Sequence, residues 1–323
     1  MNSKVLSAIA IITIISCNNN NDLRHETYNW PSVKPPVADK KEHIRMIHGD
    51  TVADPYYWMY DYFGKGPDST KVVNYLEAEN TYLDTMMSGT KNLQANLFAE
   101  MKSRIKEKDE SVPSFKNGYY YYMRTEDGKQ YYKYCRKKGS LNANEEILLD
   151  VDELAEGHPY FAASGFDVSE DNKLLAFGVD TVSRRQYVIR IKNLETGEIY
   201  KDLIQDTQGD PSWANDNKTI FYTSKNAITL LSEKIMLHQL GSDAADVTVY
   251  EEKDKTNYIG VGKSKNNKFI FIYSQATLST EVRFIDASKP SDSFKLFAAR
   301  MKDVLYDVTV LDNKFLIRTN KEF

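Results

Sequence analysis

The stretch Asp171–Gly178, DNKLLAFG, sets the pattern of the chain because it returns. An Asn-Lys pair followed by an apolar-rich run occurs at Asn172-Lys173 (LLAFGV), Asn217-Lys218 (TIFYTS), Asn267-Lys268 (FIFIYS) and Asn313-Lys314 (FLIRTN). The interval is about 45 to 50 residues and only strand-like segments lie between the anchors, which is the pattern of a β-propeller. Each pair reads as a hairpin tip, since Asn tolerates the left-handed conformation and Lys keeps the tip hydrated.

Outward from that run, Gly165–Ser169, Leu174–Val179, Tyr187–Lys192 and Ile199–Leu203 form one four-strand unit. Pro211–Ala214, Thr219–Thr223, Lys234–Leu240 and Val247–Glu251 form the next, and Tyr258–Lys263, Phe269–Tyr273, Glu281–Asp286 and Phe294–Phe297 the one after. Upstream, Val112–Phe115, Tyr119–Arg124, Tyr131–Arg136 and Ile147–Asp150 make an earlier unit. Val304–Leu311 and Phe315–Thr319 begin a fifth, two strands long. The expectation is a mainly β chain, an incomplete propeller of about four and a half blades over 109–323, with open strand edges at its end.

Before residue 109 the period is helical. Val72, Leu76, Leu83 and Met87 fall near one face of a helix over 68–88, and Leu93, Leu97, Met101 and Ile105 stripe a second. Asp68 or Ser69 and Thr90 are candidate caps, and Gly89 separates the two. These helices, with an extended and poorly alternating stretch from 32 to 60, form an N-terminal helical segment over 34–108.

The 323 residues are 41% hydrophobic and 27% charged, enough for a sizeable core. A net charge of −4 argues against a nucleic-acid partner. Lys4 and the apolar run Val5–Ile15 resemble an export leader over 1–17, ending at Cys17 and followed by a polar linker over 18–33. The arrangement is that of a bacterial lipoprotein signal, with Cys17 the lipidated residue; an ordinary cleaved leader is the alternative. Both put the chain outside the cytoplasm, in the periplasm or cell envelope, touching a membrane only through that anchor. Cys135, in the strand-like YYKYCR run, reads as a structural thiol.

Longer motifs carry a family resemblance. His48-Gly49-Asp50, Asp54-Pro55-Tyr56-Tyr57-Trp58, Tyr75-Leu76-Glu77 and Lys116-Asn117-Gly118-Tyr119 resemble the N-terminal part of the prolyl oligopeptidase family. Ser183-Arg184-Arg185-Gln186-Tyr187, Asn193–Gly197, Trp213–Asp216, Tyr250–Asp254 and Ser279–Arg283 are similar to its oligopeptidase B branch. The resemblance implies a serine peptidase in which a propeller covers an α/β-hydrolase domain and admits only short peptides, cut after Arg or Lys. It implies that the helical segment packs on that hydrolase domain, so the hydrolase domain and short basic peptides are the expected partners.

The chemistry of that family is absent from these residues. A hydroxyl nucleophile needs a G-x-S-x-G elbow with a His base and an acid to orient it. Gly262-Lys263-Ser264-Lys265-Asn266 comes nearest and lacks the second Gly. His25, His43, His48, His158 and His238 are scattered, no residue is assigned to catalysis, and neither metal nor cofactor spacing occurs. One pair is a candidate substrate or interdomain contact: Arg184 and Arg185 are consecutive, so in a strand or at its leading edge they would point to opposite faces. The sequence therefore reads as the N-terminal portion of an oligopeptidase B-like peptidase, inactive alone. A non-catalytic propeller lipoprotein binding peptides or a partner, and an unstable product of a truncated gene, are the alternatives.

Overall fold

The computed structural model describes residues 29–63, 66–312 and 314–322; the expected leader over 1–17, with Cys17, lies outside them. The chain divides into two compact units, one up to Ile105 and one from Lys106.

In the first unit, β1 (Ile44–Ile47) and β2 (Asp50–Ala53) pair antiparallel. This hairpin corrects the reading of 32–60 as merely extended. Its register is set by the turn, since His48 and Gly49 both have positive φ (52° and 84°) and Ile47 faces Asp50 across it. IRMI and DTVA alternate too weakly for the apolar pattern to fix that register. A 3-10 helix, Tyr57–Phe63, follows, and its first two residues anchor it. The Tyr57 ring stacks on His43 at 4.0 Å, and the Trp58 indole donates to the Asp39 carbonyl at 2.8 Å. Helices α1 (Ser69–Met86) and α2 (Lys91–Ser103) follow. Val72 of α1 is buried, whereas Leu93, Leu97, Met101 and Ile105 stay exposed. Asp68 occupies the N-cap of α1 without a side-chain cap bond, its carboxylate being paired with Lys41.

The second unit is a series of antiparallel blades. The first contains β3 (Ser114–Lys116), β4 (Tyr119–Arg124), β5 (Lys133–Lys138) and β6 (Glu145–Asp150). A short helix unread in the sequence, α3 (Val151–Ala155), follows, with the Asp150 carboxylate accepting from the Glu153 N–H. The second blade is β7 (Ala162–Val168), β8 (Leu174–Asp180), β9 (Tyr187–Asn193) and β10 (Ile204–Thr207). The third is β11 (Ser212–Trp213), β12 (Thr219–Lys225), β13 (Ser232–Gln239) and β14 (Val247–Glu251). The fourth is β15 (Tyr258–Lys263), β16 (Phe269–Ala276), β17 (Ser279–Asp286) and β18 (Lys295–Ala298). The hairpin β19 (Tyr306–Leu311) and β20 (Lys314–Thr319) comes last among the described residues. A single pair, Thr207 opposite Ser224, joins the second and third blades into one eight-stranded sheet.

The opening motif is legible in β8, which is buried on both faces. Leu174 and Ala176 pack with Trp213 and Ile220 of the third blade, while Leu175 and Phe177 pack with Leu148 and Phe161 on the first-blade side. Burial on two faces is why the strand reads as a continuous apolar run. The expected tips form as well. Asn172, Asn217 and Asn267 adopt positive φ, between 57° and 65°, as does Asn117 at 46°, while the fourth expected tip residue, Asn313, lies outside the described residues. One expected strand moves: Ile199 makes only an isolated bridge to Lys192, and pairing with β9 starts at Ile204. Ile204 is buried and Leu203 is exposed, so packing selects the later residues.

Candidate ligand face of the propeller

Because strands alternate in direction within a blade, the hairpins fall at two ends of this unit. The Asn tips lie at one end. At the other lie the second-to-third-strand loops, the connections between blades, and the entering segment, where Glu110 bridges Arg124.

At that second end the loop after β8 is held by Asp180. This residue is 1% exposed, and its carboxylate accepts the N–H groups of Val182 (2.8 Å), Ser183 (3.1 Å) and Arg185 (2.7 Å). The loop so fixed carries two non-glycine residues at positive φ, Ser183 (64°) and Arg185 (54°), a conformation that costs about 1 to 2 kcal/mol each. The neighbouring blade adds two ties: Lys225 Nζ donates to the Arg185 carbonyl at 2.9 Å, and Gln186 to that of Ala227 at 3.3 Å. Arg184 and Arg185 therefore lie in a loop and not in a strand, which corrects the opposite-faces geometry. Both are exposed, and among the described residues neither guanidinium has a carboxylate at ion-pair distance. Burial lowers the Lys225 pKa, and Arg185 nearby lowers it further. Burial pushes the Asp210 carboxyl beside it up.

Two further clusters occupy the same end. Glu252, between the third and fourth blades, gathers donors on one oxygen: Ser274 Oγ (2.5 Å), Arg300 Nη2 (2.6 Å) and Tyr250 Oη (2.9 Å). Beside it a cavity of about 480 Å³ is lined by Thr256, Thr277, Ser279, Arg300, Lys302 and Asp303. On the first blade Arg124 joins Glu126 to Glu145 beside a cavity of about 650 Å³ whose lining mixes Lys106 and Lys108 with Asp109, Glu110 and Asp127. Arg124 and the Tyr122 hydroxyl hold the Glu145 carboxyl at about 2, against the push of burial.

The opposite end is cross-linked by charge. Lys116 pairs with Asp167 at 3.3 Å, and Asp167 also accepts the Trp213 N–H at 2.9 Å. Glu170 of the second blade reaches past the third to Lys263 (3.1 Å) and Asn267 (3.3 Å) of the fourth. The tips are chained besides. Asn117 donates to the Glu170 carbonyl, Asn217 accepts from the Asp171 N–H, and Asn215 donates to the Asn267 carbonyl.

A family model described as the N-terminal β-propeller domain of prolyl oligopeptidase matches residues 35–323. The chain belongs to the prolyl oligopeptidase family. Its relatives include dipeptidyl aminopeptidase BI of Pseudoxanthomonas mexicana, 38% identical across 90% of this chain and 42% of the relative. Protease 2 of Moraxella lacunata is 32% identical over the same shares. Among solved structures, oligopeptidase B from Leishmania major superposes with a TM-score of 0.81 at 29% identity, covering 90% of this chain and 43% of that one. The chain thus spans about two fifths of the length of the curated relatives it matches. The expected family and propeller fold are borne out, and the match falls on the propeller of prolyl oligopeptidases.

Among the described residues no nucleophile and base of this prolyl oligopeptidase family member come together. Cys135 is buried, and burial pushes its thiol up to about 11. His43 is stacked on Tyr57, and His48 sits in the β1–β2 turn. His158 lies against Phe161 at 5.7 Å between ring centres. His238 has the partners that the sequence hid: one ring nitrogen lies 2.8 Å from Asp246 and the other 3.1 Å from Asp202. No hydroxyl completes a triad there, and the Tyr222 hydroxyl donates instead to Asp246. Nothing local in LHQL announces this pairing, which needs β13 beside the segment leading to β10.

Proposed function

We propose that this chain supplies the propeller of an oligopeptidase B-like serine peptidase, which hydrolyses short peptides after Arg or Lys. The observation that carries the proposal is the superposition of the blades on oligopeptidase B together with the match along 35–323. The partner is an α/β-hydrolase domain carrying the Ser-His-Asp triad. The propeller screens by size, because a narrow opening between blades passes an extended peptide and stops a folded domain. Export with lipidation at Cys17 belongs to the same proposal and places the enzyme in the cell envelope.

The test pairs the purified chain with the hydrolase domain of a relative. A fluorogenic Arg-Arg substrate is expected to stay intact with the chain alone and to be cleaved with the pair, while a folded protein is spared. Hydrolysis by the chain alone, or no association with the domain, sinks the proposal. The relative named a dipeptidyl aminopeptidase adds one arm, substrates with free and with blocked N-termini. A second reading, a peptide- or partner-binding propeller without catalysis, draws on the absence of a nucleophile–base pair among the described residues.

A further inference from the structure

His238, on β13 of the third blade, is buried, and a carboxylate oxygen stands against each of its ring nitrogens. Asp246, from the loop into β14, lies 2.8 Å from Nδ1. Asp202, from the second blade, lies 3.1 Å from Nε2, and the same oxygen accepts the Gly241 N–H at 2.7 Å. The other oxygen of Asp246 takes the Tyr222 hydroxyl at 2.7 Å. Burial and Asp246 push that hydroxyl up, so it stays a donor and Asp246 an acceptor. Burial alone would raise the Asp202 carboxyl, but the Gly241 N–H and His238 outweigh it and hold it below the ordinary range. An ionised carboxylate only accepts, so each ring nitrogen is satisfied only by donating. A neutral imidazole has one N–H and one lone pair, and here the lone pair would face a carboxylate oxygen away from water, which is costly. Lys201 and Asp243 line a cavity of about 380 Å³ together with the ring, and Tyr200 packs on the apolar cluster that includes Tyr222. Lys201 disfavours a cation and Asp243 favours one, so the two carboxylates in direct contact decide the balance.

We infer that His238, protonated on both ring nitrogens, is a proton-controlled latch that ties the third blade to the second through Asp202. Imidazole is the side chain that commonly discharges near neutral pH. Once the ring gives up a proton, a lone pair meets a carboxylate and the ring parts from Asp202. The Gly241 N–H, which shares that oxygen, then loses its anchor, and the loop over 240–246 loosens. The stabilisation is present while the ring is charged and is lost as pH rises. Strong acid removes it from the other side by protonating the carboxylates, so the tie is tightest in mild acid. The loop leaves the blade beside the Asn217-Lys218 tip, where the Lys218 carbonyl accepts the Leu240 N–H, so the latch acts on how firmly two blades hold together. Its physics rests on these side chains alone. Export would give it a use, since an exported protein takes the pH of its surroundings.

The experiment follows hydrogen exchange of the full chain by mass spectrometry from about pH 5 to 8, with rates corrected for the intrinsic pH dependence of amide exchange. Protection across 240–246 is expected to fall about tenfold over the series, on the scale of a hydrogen bond to a charged group. The turn at Gly197, whose N–H is tied to the Asn193 carbonyl, should keep its protection. His238→Gln has no charge to lose, so its protection should be lower and flat over the series. Asp202→Asn keeps an acceptor for the Gly241 N–H but removes the charge facing Nε2, so the fall should begin at lower pH. Nitrogen NMR of the histidine-labelled parent reads the ring directly: one signal, missing in His238→Gln, should show both nitrogens protonated where the loop is most protected. Protection that is flat or rises with pH in the parent, or a His238→Gln variant that keeps the parent's dependence, overturns the latch. So does a fall at the same pH in Asp202→Asn, or a ring with a single proton at the protected end of the series. Should His238→Gln fail to fold, the parent's exchange profile and the Asp202→Asn comparison still decide the matter. Failure of the chain to pair with a hydrolase domain leaves all of these readings standing.

Discussion

Glu252 shows how a buried charge is retained. Burial alone would raise its carboxyl, but hydrogen bonds from Ser274, Arg300 and Tyr250 outweigh that and hold it at about 2, against an ordinary value of 4.5. A carboxylate whose folded pKa is depressed stabilises the fold above its unfolded pKa, and the contribution fades as pH falls toward the folded value. Glu252→Gln should therefore cost about 2 kcal/mol at pH 7. The difference from the parent should shrink between about pH 4.5 and 2, read from urea unfolding across that range. An undiminished difference at the acid end would mean that shape, not charge, is what the glutamine disturbs. Asp180 acts at the same scale by another route, its charge ordering backbone. Asp180→Ala should loosen the Ser183–Arg185 loop, seen as faster amide exchange at 182, 183 and 185 with little change at Ile189.

The hairpin tip is the element that repeats, and Asn is its working part. Asn217 sits at φ 57° while its side-chain oxygen accepts the Asp171 N–H of the preceding blade at 3.0 Å. Asn217→Ala should cost about 1 to 2 kcal/mol for the left-handed backbone. Asn217→Gly should cost less, losing only the link between tips. Equal melting temperatures for the two variants would show that φ is not the constraint. These tips were legible because the requirement is local: one residue must turn left-handed, and few residues do so cheaply. The apolar runs of β8, β12 and β16 were legible for a related reason, since burial on two faces favours apolar residues at consecutive positions. What escaped depends on distant partners. The start of β10 rests on the burial of Ile204 and the Arg184-Arg185 loop on three bonds to one carboxylate, whereas the β1–β2 hairpin escaped because its strands alternate too weakly around a local His-Gly turn. The family motif Ser183–Tyr187 drew attention to the right place while the strand argument gave the wrong geometry.

Taken whole, the propeller unit is tied twice, by apolar packing between neighbouring blades and by charge across them. Lys263 is 8% exposed and reaches Glu170 over the third blade, so the pair holds second and fourth blades at a set distance. A double-mutant cycle of Glu170→Gln and Lys263→Met should return a coupling energy of about 1 kcal/mol, and additivity would remove the strut. In the other unit, the exposed Leu93, Leu97, Phe98, Met101 and Ile105 make a surface that water covers poorly. The isolated chain should bind a hydrophobic dye, and Leu97→Glu with Phe98→Glu should reduce the signal. A sharp, cooperative melt at monomeric mass without dye binding counts against that surface being uncovered. The burial of Trp58 and Trp213 has an optical consequence. Each unit carries its own shielded indole, while Trp30, the third tryptophan, is half exposed. A Trp58→Phe variant leaves Trp213 as the blue emitter, so the red shift of its fluorescence times the parting of the blades alone. Subtracting that trace from the parent's times the helical unit, and the order in which the two come apart can be read without attaching any label.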